Sequence, residues 1–332
     1  ADDPKTKMAA LFMESVRHPQ QFLQAASRMR AAGKPIVVLK VGRSLDGAAA
    51  TAAHTGSLAG SHAVAMDFFS SAGVVLVNDL DELVETCVLL EQVSRRPLGH
   101  GVAVTNISGG EVALTCDLAM ESGIHFPKLQ PRTLDDLRSC LPTFATPSNP
   151  LDATGAATFD MVMYARAMTA LLADPGISLL AVSQDCPVGL GPKASENYRA
   201  IAQTVADVAA RTDKPVVFYS NVGGGLHPRT VEPLAGSGVA ALQGARAALL
   251  AIRHFLAWHL SPPLPFVAPI AAIDPQPEWN DRLGNGRPFS EHEAKKFLEA
   301  HGIRITREAR SATVEMACIC SAEIGFPVAM KI

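Results

Sequence analysis

The feature that most narrows the folds open to this chain is an internal repeat of short apolar, β-branched runs separated by helical patterns. The runs are MAALFM, PIVVLKV, GVVLV, GVAVTNI, SLLAVSQ, PVVFYS and GVAAL. A strand that is apolar at every position, and not only at alternate ones, is covered on both faces. Such cover arises where helices flank a parallel sheet on each side. The order of the runs also recurs at long period. DDPKTKMAALFMES (2–15) resembles ADPGISLLAVSQDC (173–186), KPIVVLKVG (34–42) resembles KPVVFYSNVG (214–223), and AGVVLVNDLDELVETCVLL (72–90) resembles SGVAALQGARAALLAIRHF (237–255). Two related α/β domains with parallel sheets are therefore expected.

The copies differ in two places. The second opens earlier, with GVAVTNISGGEVALTCDLAMESG (101–123), a strand that runs through a Gly-Gly turn into a helix, so the first copy is expected to begin in mid-domain. Between the KP strand and the next, Pro35 to Gly73 spans 38 positions and Pro215 to Gly238 spans 23, an excess of 15 in the first copy. The excess holds AAHTGSLAG (52–60), where His54 stands among small residues that let another group approach the backbone closely. An insertion at the carboxyl end of a parallel strand is where open α/β sheets bind ligands. After Leu260 the proline-rich SPPLPFVAPIAAIDPQPEWNDRLGNGRP reads as a linker. FSEHEAKKFLEAHGI then offers Ser290 as a helix N-cap with Glu293 three residues on. The expected domains are 1–97, 98–260, a linker 261–287, and a third unit from 288 to 332 that ends on a strand just begun.

With 48% apolar and 18% charged residues in 332, the chain can bury sizeable cores. Its formal charge of −3 and the lack of basic runs or basic-aromatic interleaving argue against nucleic acid as a partner. No apolar stretch approaches the ~20 residues that span a bilayer. The six cysteines lie mostly in apolar runs, without zinc or redox spacing, as in a reducing, cytoplasmic compartment. No histidine pattern calls for a metal, and none is expected.

The succession KVGRS, AAHTGSLAGS, NISGGEVALTCDLA, NPLDATG and SEHEAKKFLEAHGI resembles the NDP-forming acyl-CoA synthetases, relatives of succinyl-CoA synthetase. The resemblance covers practically the whole chain. It implies two flavodoxin-like (succinyl-CoA synthetase-like) domains and the beginning of an ATP-grasp domain. In the family a carboxylic acid, CoA and a nucleoside triphosphate (ATP or GTP, with Mg²⁺) become acyl-CoA, nucleoside diphosphate and phosphate through a phosphorylated histidine. By resemblance that histidine is His54, in a soluble homo-oligomer. The CoA-binding domain and most of the ATP-grasp domain are expected to lie outside these residues, which are then inactive alone.

The residues suit the implied chemistry. Imidazole, with an ordinary pKa near 6.5, is largely neutral at cytoplasmic pH and can attack phosphorus. The Gly-Gly turn at SGGE (108–111) would aim the amides of Gly109 and Gly110, with the dipole of the helix behind them, at a phosphoryl group. Asn106 and Ser108 could add donors. A plain tight turn packing a helix on a sheet explains the motif on its own about as well. Glu14, at the end of the KMAALFM strand, is placed by the family where it hydrogen-bonds the histidine and selects its tautomer. NPLDATG reads as an Asn-Pro turn with an aspartate able to cap the next helix; Asn149 and Asp152 are candidates for the acyl or phosphate pocket. Lys331 stands where ATP-grasp proteins keep a nucleotide-contacting lysine. Two other readings stay open: a non-catalytic CoA- or nucleotide-sensing module, against which an intact AHTG speaks, and a flavin-type phosphate-binding domain, which leaves the histidine insertion unexplained.

Overall fold

The computed structural model describes residues 1–55, 62–261, 277–284 and 286–330. It divides into two compact units, Ala1–Val267 and Ala268–Ile332. The first unit holds, in order, β1 (Ala9–Met13), α1 (Pro19–Ala31), β2 (Ile36–Lys40), α2 (Leu45–Thr55), α3 (His62–Ser71), β3 (Val75–Val77) and α4 (Leu80–Gln92). It continues with β4 (Val102–Asn106), α5 (Gly109–Ser122), α6 (Pro131–Cys140), β5 (Leu151–Asp152), α7 (Met161–Ala173), β6 (Leu179–Ser183), α8 (Pro192–Ala209), β7 (Val216–Ser220), α9 (Pro228–Val231), β8 (Ala240–Gln243) and α10 (Ala245–Leu260).

Every strand pairing is parallel, in two sheets ordered β1-β2-β3 and β5-β4-β6-β7-β8. Counted within the second sheet the order is 2-1-3-4-5, that of flavodoxin-like folds. The repeat pairs β1, β2 and β3 with β6, β7 and β8, and the first sheet keeps the same neighbour relations. All five positions of β2, β4, β6 and β7 are buried, as fully apolar runs require. MAALFM departs from this expectation. Its Ala10 and Phe12 are exposed, because β1 is the edge of its sheet, whereas its counterpart β6 is central.

Two helices join the sheets. Leu89 of α4 and the following Val93 share a core with Val102 of β4, Leu242 of β8 and Phe255 of α10. In return Trp258 of α10 packs with Val37, Leu39, Val75 and Val77 of the first sheet, beside Leu83 of α4. Each large apolar side chain so buried contributes ~1.5–3 kcal/mol relative to exposure. Inside this packing Glu82 is fully buried and His254 nearly so, with Nε2 of His254 donating to Oε1 of Glu82 at 2.6 Å. The Asn78 amide donates to the other carboxylate oxygen at 2.7 Å. Burial opposes ionisation of Glu82, but the hydrogen bonds from His254 and Asn78 outweigh it and hold the pKa below the usual carboxylate range. Nearby, Glu85 accepts from the Gln243 amide at 3.0 Å, and Arg30 of α1 stacks on Trp258 at 3.8 Å.

The second unit holds α11 (Pro277–Gly284), α12 (Glu291–Ala300) and α13 (Val314–Ile324). The capping box read from sequence is present in α12: Ser290 accepts from the Glu293 amide, and the Glu293 side chain accepts from the Ser290 amide. Two expectations change. The predicted linker 261–287 contains the helix α11, whose Trp279 packs edge-on against Phe289 and Phe297; its residues 262–276 lie outside the described residues. Residues 327–330 form no strand, and 331–332 lie outside the described set.

Two predictions follow from the packing. A Cβ built on Gly101 would fall 1.8 Å from the carbonyl oxygen of Gly176, so Gly101→Ala is expected to cost about 3 kcal/mol or more through forced backbone displacement. Loss of His254 leaves the buried Glu82 carboxylate only the Asn78 amide and Arg253 at 3.6 Å, and His254→Ala is expected to cost about 1–3 kcal/mol in urea unfolding at neutral pH. Since the pKa of Glu82 is depressed on folding, the stability held by this pair is complete above the ordinary glutamate value near 4.3. It is lost as pH falls through the depressed pKa, so the gap between wild type and variant narrows in acid.

Candidate functional site

Parallel strands bring their carboxyl ends to one edge, and the polar residues just beyond those ends gather there. In the second sheet Asn106 closes β4. Its side chain is fully buried; Oδ1 accepts from Thr115 Oγ1 at 3.2 Å, while Nδ2 has no hydrogen-bond partner among the described residues. Ser108 follows as the N-cap of α5, in extended conformation, and its hydroxyl makes no cap hydrogen bond. The Glu111 and Val112 amides both turn back to the Ser108 carbonyl. The amides of Gly109 and Gly110 are the ones a first helical turn leaves for another acceptor. Glycine at 109 has a steric reason, since a Cβ there would stand 3.3 Å from Asp152 Oδ2.

Asp152 ends β5 beside β4, pairing with Asn106, so the structure brings it to the Gly-Gly turn. It does not cap the next α-helix as expected. Its Oδ1 accepts from the Thr154 amide at 2.8 Å, and the cap of α7 is Asp160. Thr154 has φ of 64°, the one non-glycine residue among those described in the left-handed region, and for a β-branched side chain that conformation stores strain. Asn149 lies elsewhere. Its amide is spent on backbone, with Oδ1 accepting from the Val104 amide and Nδ2 donating to the Val102 and Pro127 carbonyls.

Sequence reading missed several residues of this edge. Glu111 is half-buried in the first turn of α5; burial raises its pKa, against a long hydrogen bond of 3.4 Å from the Ile107 amide, and the charges of Asp185 and Asp152 raise it further. Asp185, just after β6, accepts from Ser220 Oγ and the Asn221 amide. Beneath them the Tyr164 hydroxyl meets Thr105 Oγ1 at 2.8 Å, and burial pushes the Tyr219 hydroxyl up to about 12. Only the position of Asp185 at a strand end was a signal, and it is one shared with many structural turns.

At the first sheet, Glu14 follows the last residue of β1 and lines a cavity of about 300 Å³ with Phe12, Met13, Ser15 and Arg17. Lys40, opposite Met13 in the register, is buried. Burial lowers its pKa and the charge of Glu14 opposes that shift, so the two groups sense one another. Arg43, beyond β2, forks onto Asn78 Oδ1 and its carbonyl at 2.7 and 2.8 Å. His54 is not on a loop as expected: its backbone lies in the last turn of α2. The reason is composition, since LDGAAATAAHT is rich in alanine, the strongest helix former. Its side chain, residues 56–61 and Lys331 lie outside the described residues. Among the described residues no group of three His, Cys, Asp or Glu is placed to hold a metal, and no helix is long and apolar enough to cross a membrane.

Polar groups collected at the carboxyl edges of parallel sheets, one ordered 2-1-3-4-5, mark a flavodoxin-like α/β protein. Comparisons with known proteins narrow this. Residues 1–90 match the family described as succinyl-CoA ligase like flavodoxin domain. The chain is 29% identical to Trans-feruloyl-CoA synthase FCS1 of an unknown prokaryotic organism, over 99% of this chain and 45% of that protein. It is 32% identical to Acetate--CoA ligase [ADP-forming] II subunit alpha of Pyrococcus furiosus, over 67% of this chain and 47% of the subunit. The solved dinucleotide forming Acetyl-coenzyme A synthetase 1 of Ca. Korarchaeum cryptofilum, in complex with phosphate and ADP, superposes with a TM-score of 0.65 at 26% identity, covering 78% of this chain and 55% of that one. The chain is thus a homologue of ADP-forming acyl-CoA synthetases, built on succinyl-CoA ligase-like flavodoxin domains. It spans about half the length of the curated relatives it matches.

A direct check of the Gly-Gly edge is Gly109→Val, which sets a branched side chain against the Asp152 carboxylate. Inorganic phosphate binding, read from the Gly110 amide shift, is expected to weaken by about 10-fold or more, with the second sheet still folded.

Proposed function

We propose that this chain is the central part of an acyl-CoA synthetase that joins a carboxylic acid to CoA at the expense of a nucleoside triphosphate, with His54 as phosphoryl carrier. The observation that carries the proposal is the Gly109–Gly110 turn at the carboxyl edge of the second sheet, with first-turn amides and the buried Asn106 nitrogen left for an anion, in a chain homologous to such enzymes.

The chemistry balances in three steps. A neutral ring nitrogen of His54 attacks the terminal phosphorus of the triphosphate, and the diphosphate leaves. A carboxylate oxygen of the acid attacks the phosphohistidine phosphorus, forming an acyl phosphate and freeing the ring. The CoA thiol, giving up its proton, attacks the acyl carbon and expels phosphate, leaving the thioester. Glu14 would accept a hydrogen bond from one ring nitrogen, so that the other carries the lone pair. The amides of Gly109 and Gly110, the Ser108 hydroxyl and Asn106 Nδ2 would donate to the phosphoryl oxygens, where fixed dipoles neutralise charge without reorganising. Asp152, beside Gly109, would shape the turn. Lys331 would contact nucleotide phosphates within an ATP-grasp domain that begins near residue 288; Mg²⁺ would accompany the nucleotide, and no described residue is assigned to it. The domains would be 1–97 and 98–260.

The named relatives act on different acids by their descriptions, trans-feruloyl, acetate and 4-hydroxybutyrate among them. The proposal therefore stops at a carboxylic acid. It is tested on the intact polypeptide encoded by the gene. Incubation with ATP and Mg²⁺ should add one phosphate that survives base and is lost in acid, and His54→Asn should abolish it. Glu14→Gln should slow its appearance by about 10- to 100-fold. Equal phosphorylation of wild type and His54→Asn would overturn the assignment.

A further inference from the structure

The turn proposed to hold the phosphoryl group is ringed by carboxylates. Glu111 sits at the third position of α5, one residue past Gly110, with Oε2 toward the Ile107 amide at 3.4 Å. Asp152 faces it from the end of β5 and stands against Gly109. The charge of Asp185, beyond β6, also acts on Glu111. The buried hydroxyls of Tyr164 in α7 and Tyr219 in β7 sense the charge of Glu111 and are kept neutral. None of these groups is cationic. A dianionic phosphoryl group on the Gly109 and Gly110 amides would thus meet an ionised Glu111 at close range. At an effective dielectric of ~20, one like charge even ~10 Å away weakens binding by about tenfold or more.

A second observation points to an anion in the same place. The Asn106 side chain, at the end of β4 two residues before the turn, is fully buried, with its oxygen held by Thr115 of α5, and its nitrogen has no hydrogen-bond partner among the described residues. A buried donor of that kind calls for an oxygen acceptor. The carboxylates oppose what the amides and Asn106 favour, and a proton on one of them removes the conflict. Of the three, Glu111 is the group in the turn itself. Asp152 accepts from the Thr154 amide at 2.8 Å, and Asp185 from Ser220 Oγ at 3.1 Å and the Asn221 amide at 2.7 Å, whereas Glu111 has only the long 3.4 Å contact from the Ile107 amide.

We propose that Glu111 is a proton-linked positioning residue of the Gly-Gly turn: the site takes up one proton, onto the Glu111 carboxyl, when a phosphoryl dianion settles on the Gly109 and Gly110 amides. This rests on the phosphate reading of the turn given above and adds a regulation to it. The protonated carboxyl stops repelling the anion and gains an O–H that can donate to it. Phosphoryl arrival at this edge then becomes easier as pH falls.

Sulfate is the suitable probe, since it stays a dianion between about pH 5.5 and 8.5 while phosphate itself titrates. It is titrated into the ¹⁵N-labelled chain, following the Gly109 and Gly110 amide shifts, in wild type, Glu111→Gln and Asp152→Asn. Gln keeps the oxygen that faces the Ile107 amide, so the turn retains its cap. The wild-type Kd should rise with pH by up to about tenfold per unit between the Glu111 pKa of the free site and that of the loaded site, and level off above the latter. Glu111→Gln should show a flat profile and, at the alkaline end, bind roughly 10- to 100-fold more tightly than wild type. Asp152→Asn should bind more tightly yet keep the slope. Equal slopes in wild type and Glu111→Gln, with sulfate on these amides, would overturn the proton linkage and leave the phosphate reading standing. Loss of the wild-type slope on adding millimolar Mg²⁺ would overturn it too, since a cation would then supply the neutralising charge. Gly109 and Gly110 amides unmoved by sulfate at every pH, in all three proteins, would overturn the phosphate reading itself.

Discussion

The contact between α4 and α10 is the constraint on which the rest of the first unit depends. Each helix closes one copy of the repeat, and each buries side chains against the sheet of the other copy: Leu89 against the second, Trp258 against the first. Neither sheet can be covered on that side without both helices. The burial of Glu82 and His254 within the contact adds direction to it, because a buried carboxylate is tolerated only where its donors stand in the right places. Apolar area supplies the energy of this arrangement, and the buried hydrogen bond between His254 and Glu82 supplies its register. The same helix start bears on the first site, since Asn78 binds Arg43 beyond β2 and, through its own amide, the Glu82 carboxylate. A residue in the interdomain packing and a loop at a sheet edge are thereby parts of one hydrogen-bonded series.

At the second sheet the balance of charge is the informative quantity. A helix N-terminus and a buried amide nitrogen offer donors, and three carboxylates stand around them. A turn built only to pack a helix on a sheet would not need glycine where Asp152 approaches, a threonine at positive φ two residues later, and an orphaned donor beneath. Together these features violate local rules of stability in a small region, and such violations gather where a protein binds or reacts.

Much of this was legible in the residues. Apolar runs marked seven of the eight strands among the described residues, and where a strand is central, burial on both faces leaves no room for polar alternation. Ser290 and Glu293 marked the start of α12, because a capping box is satisfied within four residues. What was not legible depended on distant partners. The two-residue β5 is too short to leave a pattern, and it is a strand only because β4 lies beside it. MAALFM reads as a central strand and lies at an edge, since coverage belongs to the sheet and not to the run. Glu111 and Asp185 are singled out by no local pattern in the residues. Their proximity arises from strands that are neighbours in space and about 75 residues apart in the chain.

By itself, then, the sequence determined the class of the fold, the duplication, the family and the nucleophile candidate, because hydrophobic period, repeat and local motif are properties of contiguous residues. Tertiary structure alone decided which carboxylates lie near the Gly-Gly turn, that Asn149 braces β4 while Asp152 stands against Gly109, and that one buried carboxylate–imidazole hydrogen bond ties the two copies together. Those are matters of desolvation and distance, and both come into being only when separate segments exclude water from the space between them.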